Sequence, residues 1–164
     1  MEINRSNSYL TQIHQPDKEL LGRSVEDFLL ALGGPTALFI RGEDSRRTRA
    51  LCTLLHGNEP SGVQAIHHYL SAGIKPAVNL LLIIGSVQAA LSAPLFSHRM
   101  LPGKRDLNRC FRPPFEGEQG AVAAAILDLL YDVAPEALID LHNSSGSGPA
   151  FGVAVKEEAD HLAL

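Results

Sequence analysis

The chain has 164 residues and a formal charge of −4, and 45% of its residues are hydrophobic. That suffices for one domain with a real core and excludes a disordered chain. No apolar run reaches the roughly 18–20 residues of a membrane span, and no basic block addresses a phosphate backbone. The start, Met1-Glu2-Ile3-Asn4-Arg5-Ser6, lacks the layout of a secretory signal. Cys52 and Cys110 share no metal-type spacing and are too few for a disulfide framework. The composition implies a reduced, cytoplasmic protein with neither nucleic acid nor membrane as partner.

Residues 1–16 read as polar and irregular. Leu20, Leu21, Val25, Phe28, Leu29 and Leu32 recur at helical spacing and predict one helix from Asp17 to Leu32, stopped by Gly33-Gly34-Pro35. Ala37–Ile40 predicts a short strand, Gly42–Arg47 a charged turn and Thr48–Leu55 a second strand. Pro60 suits a first helical turn, where its missing N–H would have no partner. Val63, Ile66, Tyr69 and Leu70 then form one apolar face ending at Gly73. Val78–Ile84, apolar apart from Asn79, has the pattern of a strand buried on both faces. Gly85–Gly120 reads as a loop of over thirty residues. Loops that long are usually functional or disordered, and Arg99, Asp106, Asn108 and Arg109 favour function. Gln119–Val133 predicts a helix, Ala137–Leu141 another buried strand, Phe151–Val155 a further strand and Lys156–Leu164 the start of a helix.

Strands alternating with helices imply a single α/β domain over 1–164 with a layered, largely parallel sheet. In such sheets ligands bind beyond the carboxyl ends of the strands. Three predicted strands end in Leu55-His56, Ile84-Gly85 and Leu141-His142, so polar groups gather at one edge.

The chemistry begins at His56-Gly57-Asn58-Glu59, where a strand end presents an imidazole and a carboxylate together. Both are zinc ligands, and catalytic zinc usually takes three protein ligands plus water. Alone, the pair also fits a helix start in which Glu59 is favoured by the dipole. His142, at another strand end, supplies a third ligand. Residues i and i+2 of an extended segment share a face. Asp140 therefore points with His142 and could fix the tautomer of a zinc-bound histidine, His56 being the expected partner. In Asp106-Leu107-Asn108-Arg109 a guanidinium fork and a neighbouring amide suit an acidic substrate. The bland reading is a solvated Asp106–Arg109 pair. His14, His67, His68 and His161 read as surface or terminal residues, His98 as a neighbour of Arg99 that could enter the site but is not counted among its residues, and Cys110 as a packed thiol near the pocket.

His56-Gly57-Asn58-Glu59, Asp106-Leu107-Asn108-Arg109-Cys110-Phe111 and Asp140-Leu141-His142-Asn143-Ser144-Ser145 together resemble the succinylglutamate desuccinylase/aspartoacylase family of zinc-carboxypeptidase-like hydrolases. The three motifs occur in the family's order and cover roughly residues 48–155. The resemblance implies a three-layer α/β/α fold with a mixed, largely parallel sheet. It implies one zinc per chain on His56, Glu59 and His142, with Asp106 and Asp140 behind the ligands. Asn108, Arg109 and Asn143 would bind substrate, and Arg99, with Arg105 as rival, would polarise the scissile carbonyl. The partner would be a small N-acyl amino acid with a free carboxylate, such as N-succinylglutamate or N-acetylaspartate; a homo-oligomer is compatible.

The chain departs from the family pattern in two places. Gly85-Ser86-Val87 stands where members often carry Gly-Asn-Pro. The family's general-base glutamate lies well downstream of the last zinc-binding histidine, but only twenty-two residues follow His142. Glu157 and Glu158 do not match its position. The expectation is an amino-terminal portion of a longer deacylase, inactive alone, or else a natural short form that binds metal without turnover. A zinc carboxypeptidase acting on peptides and a non-catalytic metal- or ligand-binding module are also compatible with the motifs.

Overall fold

The computed structural model describes residues 2–4, 9–144 and 150–154. The strands are β1 (Glu2–Asn4), β2 (Thr11–His14), β3 (Thr36–Ile40), β4 (Asp44–Thr53), β5 (Val78–Ile84) and β6 (Ala137–Leu141). The helices are α1 (Lys18–Leu21), α2 (Val25–Leu32), α3 (Ser61–Ser71), α4 (Val87–Leu91) and α5 (Gly117–Val133), with a 3-10 turn at Leu107–Arg109. Among the described residues the strands form one sheet in the order β1-β2-β3-β5-β4-β6. β5, β4 and β6 run parallel, β3 is antiparallel to β5 and parallel to β2, and β1 is antiparallel to β2.

Alternation along the strands builds two cores. Leu81 and Ile83 of β5 pack with Ala50 and Cys52 of β4 against Val122, Ile126 and Leu129 of α5. Leu82 and Ile84 face the other way, onto Phe28, Leu29, Val63 and Ile66 of α2 and α3. The expected three-layer α/β/α sandwich with a mixed, largely parallel sheet is the observed fold.

This topology places a crevice at the end of β4. From β4 the chain crosses through α3 on one face to β5. From β5 it returns through α5 on the opposite face to β6, on the other side of β4. Adjacent crossovers on opposite faces leave an opening beyond the strand ends, where α/β sheets bind ligands. Thr53 pairs in register with both Ile84 and Leu141, so the three carboxyl ends lie level.

Several elements differ from the sequence-based expectations. Residues 1–16 contain β1 and β2, strands too short to show a period, which exist through their pairing with each other and with β3. The helix expected over Asp17–Leu32 is two. Gly22, at φ 62°, ends α1, and Ser24 caps α2 by accepting from the Asp27 N–H at 3.0 Å. The long loop carries α4 and the 3-10 turn, and β4 begins earlier than Thr48, with a register irregularity between Asp44 and Thr48. β6 is a strand but not a buried one: among the described residues it lies at the sheet edge, with Leu138 48% and Ile139 49% exposed. Residues 151–154 form no strand, and Phe151 and Val153 are exposed. Val155 and the helix expected over Lys156–Leu164 lie outside the described residues. A largely apolar groove between α3 and β6, lined by Ile66, Tyr69, Leu80, Leu82 and Ile139 among others, holds none of the candidate site residues.

Candidate metal centre

β4 ends at Thr53, and Leu54 takes a left-handed conformation at φ 56°. That conformation costs a non-glycine residue about 1–2 kcal/mol. Leu54 is fully buried, its carbonyl accepts from the Ser86 N–H at 2.6 Å, and the Leu55 carbonyl accepts from Ser86 Oγ at 2.8 Å. The turn so held points His56 into the crevice. The next residue must be glycine: a methyl group at Gly57 would stand 2.6 Å from both the Ala90 nitrogen and the His98 carbonyl oxygen. The Gly57 N–H donates to the Arg99 carbonyl at 2.9 Å, which fastens the Arg99-bearing loop to this turn.

Glu59 lies between the two histidines. His56 Nδ1 is 2.8 Å from Glu59 Oε1, and His142 Nδ1 is 2.7 Å from Glu59 Oε2. The far ring nitrogens also face carboxylates: His56 Nε2 is 3.1 Å from Asp106 Oδ1, and His142 Nε2 is 2.9 Å from Asp140 Oδ2. Asp140 thus serves the histidine on its own strand face, and not His56 as the sequence suggested; Asp106 stands behind His56. Arg99 donates through Nε and Nη2 to Asp106 Oδ2 at 3.2 and 2.9 Å, so Asp106 joins Arg99 to His56 and the bland alternative, a solvated Asp106–Arg109 pair, does not occur.

Burial alone would raise the Glu59 carboxyl pKa, but the hydrogen bonds from His56 and His142 outweigh it and hold Glu59 below the ordinary carboxylate range. Burial likewise opposes, and the Arg99 guanidinium with the neighbouring imidazole overcomes, to hold Asp106 low. At His142 burial favours the neutral ring, yet Asp140 and Glu59 prevail and raise its pKa.

The donor set fits a divalent metal. One ligand atom from each of His56, Glu59 and His142 can be chosen so that all three lie within 4.8 Å of one another. Each imidazole has carboxylate oxygens against both ring nitrogens, whereas a neutral imidazole carries a single N–H. Were His56, Glu59 and His142 to hold a cation, each imidazole would give one nitrogen to it and direct the N–H of the other to a carboxylate, Asp106 for His56 and Asp140 for His142. That is the usual arrangement behind metal-binding histidines.

The remaining sequence candidates are placed as follows. Asn108 is half-buried beside Asp106, and no hydrogen bond among the described residues engages its side-chain amide; its backbone N–H donates to Asp106 Oδ1 at 2.9 Å. Arg109 is exposed and spends one guanidinium nitrogen on the Asn108 carbonyl, at 3.3 Å. Arg105 donates to the Glu116 carbonyl, away from the histidines. Asn143 Oδ1 accepts from Ser61 Oγ at 2.7 Å and from the Ser61 N–H at 3.3 Å, at the start of α3. Glu157 and Glu158 lie outside the described residues.

Three contributors were missed in the sequence. Ser61 receives Asn143. Thr53 donates through Oγ1 to the Leu141 carbonyl at 3.4 Å. Gly62 lets α3 lie directly on β4, because a Cβ there would overlap Thr53 Oγ1. Gly57, inside the His-x-x-Glu motif, and Gly62, three residues beyond it, were the readable signal; nothing in the sequence announces the contact between residues 61 and 143.

The family model described as Succinylglutamate desuccinylase/Aspartoacylase catalytic domain matches residues 45–163. A crystal structure of a succinylglutamate desuccinylase from Vibrio cholerae is similar to this chain, with 21% sequence identity and a TM-score of 0.55. The match covers 76% of this chain and 45% of that one, so this chain spans less than half of the related structure. No curated protein matches. No helix among the described residues is long and apolar enough to cross a membrane.

Proposed function

This chain belongs to the succinylglutamate desuccinylase/aspartoacylase family, and from that premise we propose that it carries the metal-binding half of a zinc-dependent amide hydrolase acting on N-acyl amino acids. The observation that carries the reading is the convergence of His56, Glu59 and His142 from two strand ends onto one point. Bound there, zinc would supply Lewis acidity to a carbonyl oxygen and lower the pKa of water toward about 7.

The protein's own side chains hold and orient. Asp106 and Asp140 keep the imidazole N–H groups on Nε2, which leaves Nδ1 as the ligand atom. Arg109 and the Asn108 amide retain donors for a substrate carboxylate, the planar fork of the guanidinium suiting a two-oxygen acceptor. Arg99 keeps one terminal nitrogen beyond its pair with Asp106, and that nitrogen is the candidate donor to a developing oxyanion.

A specific observation favours slow turnover by this chain alone. The carboxylates at the centre, Glu59, Asp106 and Asp140, are each engaged with an imidazole. Among the described residues no carboxylate at the centre is left to take the proton of the attacking water. Losing a general base typically costs about 10²–10⁴ in rate. The non-catalytic metal-binding reading shares this observation.

Zinc content after metal stripping and reloading tests the site, with one zinc per chain expected. Hydrolysis of N-succinylglutamate and N-acetylaspartate, by this chain and by a form extended with family sequence past residue 164, tests the activity. The extended form should turn over and this chain should be slower by the factor above. Equal rates would refute the missing-base argument, and failure of both forms to hydrolyse either substrate would refute the substrate class.

A further inference from the structure

We infer that Asn143 is a positioning residue: clasped by Ser61, it holds the segment bearing His142 against Glu59. The inference rests on the metal-site reading above and deepens it. His142 follows β6, the edge of the sheet, which among the described residues pairs only with β4. Edge strands have one neighbour to hold them, while a metal ligand must keep its place to within about 0.5 Å.

The bonds around His142 come from the β4–α3 connection that also carries the other two ligands. Before it, the Leu141 carbonyl accepts from Thr53 Oγ1. After it, the Asn143 N–H donates to Glu59 Oε2 at 3.3 Å, and Asn143 Oδ1 takes both the Ser61 hydroxyl and the Ser61 N–H. Ser61 is two residues beyond Glu59, so a short stretch of backbone fixes the acidic ligand and the carrier of the distant histidine together.

The helix gains from the same contact. Pro60, at the cap position of α3, makes no side-chain cap bond. A proline side chain has no oxygen to offer, and the orphan N–H groups of a helix start need an acceptor. Asn143 supplies one from across the crevice. Asn143, which the family resemblance assigns to substrate, therefore has its side-chain oxygen already engaged by the protein itself.

The test measures zinc dissociation constants by chelator competition, together with the melting temperature of the metal-free chain, for wild type and four variants. Asn143→Ala should weaken zinc binding by about 10- to 100-fold, the usual loss for a group that orients a ligand. Ser61→Ala should weaken it less, because the Ser61 N–H remains. The double variant Ser61→Ala/Asn143→Ala should be no worse than Asn143→Ala alone. Asn143→Asp should restore affinity, since a carboxylate accepts the same two bonds and suits a helix N-terminus. If Asn143→Ala lowers the melting temperature but leaves zinc affinity unchanged, the residue is only a helix cap and the inference falls. If zinc affinity is unchanged in both single variants, it also falls, and substrate binding becomes the role of Asn143. Wild-type protein that is folded and binds no zinc would instead overturn the metal reading itself, and the inference with it.

Discussion

His56 and His142 each present Nδ1 to Glu59 and Nε2 to an aspartate, yet the His56 side chain is 4% exposed and that of His142 31%. The inner arm sits at the end of a central strand, packed beneath the 89–99 loop and backed by Asp106 and Arg99. The outer arm sits on an edge strand and is backed by Asp140, whose side chain is 40% exposed. The same hydrogen-bonding pattern is thus built twice, once from core packing and once from polar ties. Rigidity at the outer arm depends on single bonds that water can replace; at the inner arm it depends on contacts that water cannot reach.

The most severe way to break the comparison is to remove what the arms share. Glu59→Gln should abolish stoichiometric zinc binding, weakening it by more than the roughly 100-fold upper limit usual for groups behind a ligand; calorimetric titration measures this. Retention of tight zinc would mean that the two arms do not meet at Glu59. Next comes Gly57→Ala, confined to the inner arm. Its new methyl group meets backbone atoms that cannot rotate away, so a loss near about 3 kcal/mol is expected in urea denaturation. A stable variant would show that the 89–99 loop is held less tightly than its geometry indicates.

The aspartates sharpen the contrast directly. Asp106→Asn should cost zinc affinity toward the upper end of about 10- to 100-fold, and Asp140→Asn toward the lower end. The difference arises because water can stand in for the exposed Asp140 and not for Asp106, whose side chain is 15% exposed. Equal losses would erase the distinction between the arms. The smallest effect belongs to the far end of β6, where Glu136 accepts from Arg47 and Arg49 on an exposed surface. Glu136→Gln should lower the melting temperature only slightly, and less so in high salt. Hydrogen bonds from Arg47 and Arg49 hold the Glu136 carboxyl below its ordinary value of 4.5. A lowered folded-state pKa gives stability that is present above that ordinary value and lost as pH falls through the depressed one. The gap between wild type and variant should therefore close in acid; a gap that widens would contradict the pairing.

The parts of this molecule that repeat were legible, and the parts that depend on distant chain were not. β3, β5, α3 and α5 carry apolar runs or helical spacing of their own, and His56, Glu59 and His142 stand at strand ends. β1 and β2 owe their existence to neighbours rather than to pattern. β6 has the apolar sequence of an interior strand but occupies an edge, and composition cannot say which strands will flank it. The i, i+2 rule already placed Asp140 beside His142; extending it to His56 overlooked that the shorter reach is satisfied first. Asp106 could be matched to His56 only once Gly57 had brought the 89–99 loop down, a packing event with no local signature.

The position of β6 also has a kinetic consequence. The β4–α3–β5 unit is built from contacts close in sequence, but pairing β6 with β4 closes a chain of more than eighty residues, the separation between Glu59 and His142. Closing long loops late is the general rule of folding, since their entropy must be met before the new contacts form. A chain emerging from synthesis thus exposes His56 and Glu59 long before His142 exists to join them. His142 therefore joins His56 and Glu59 only when β6, the last of the described strands, docks on β4.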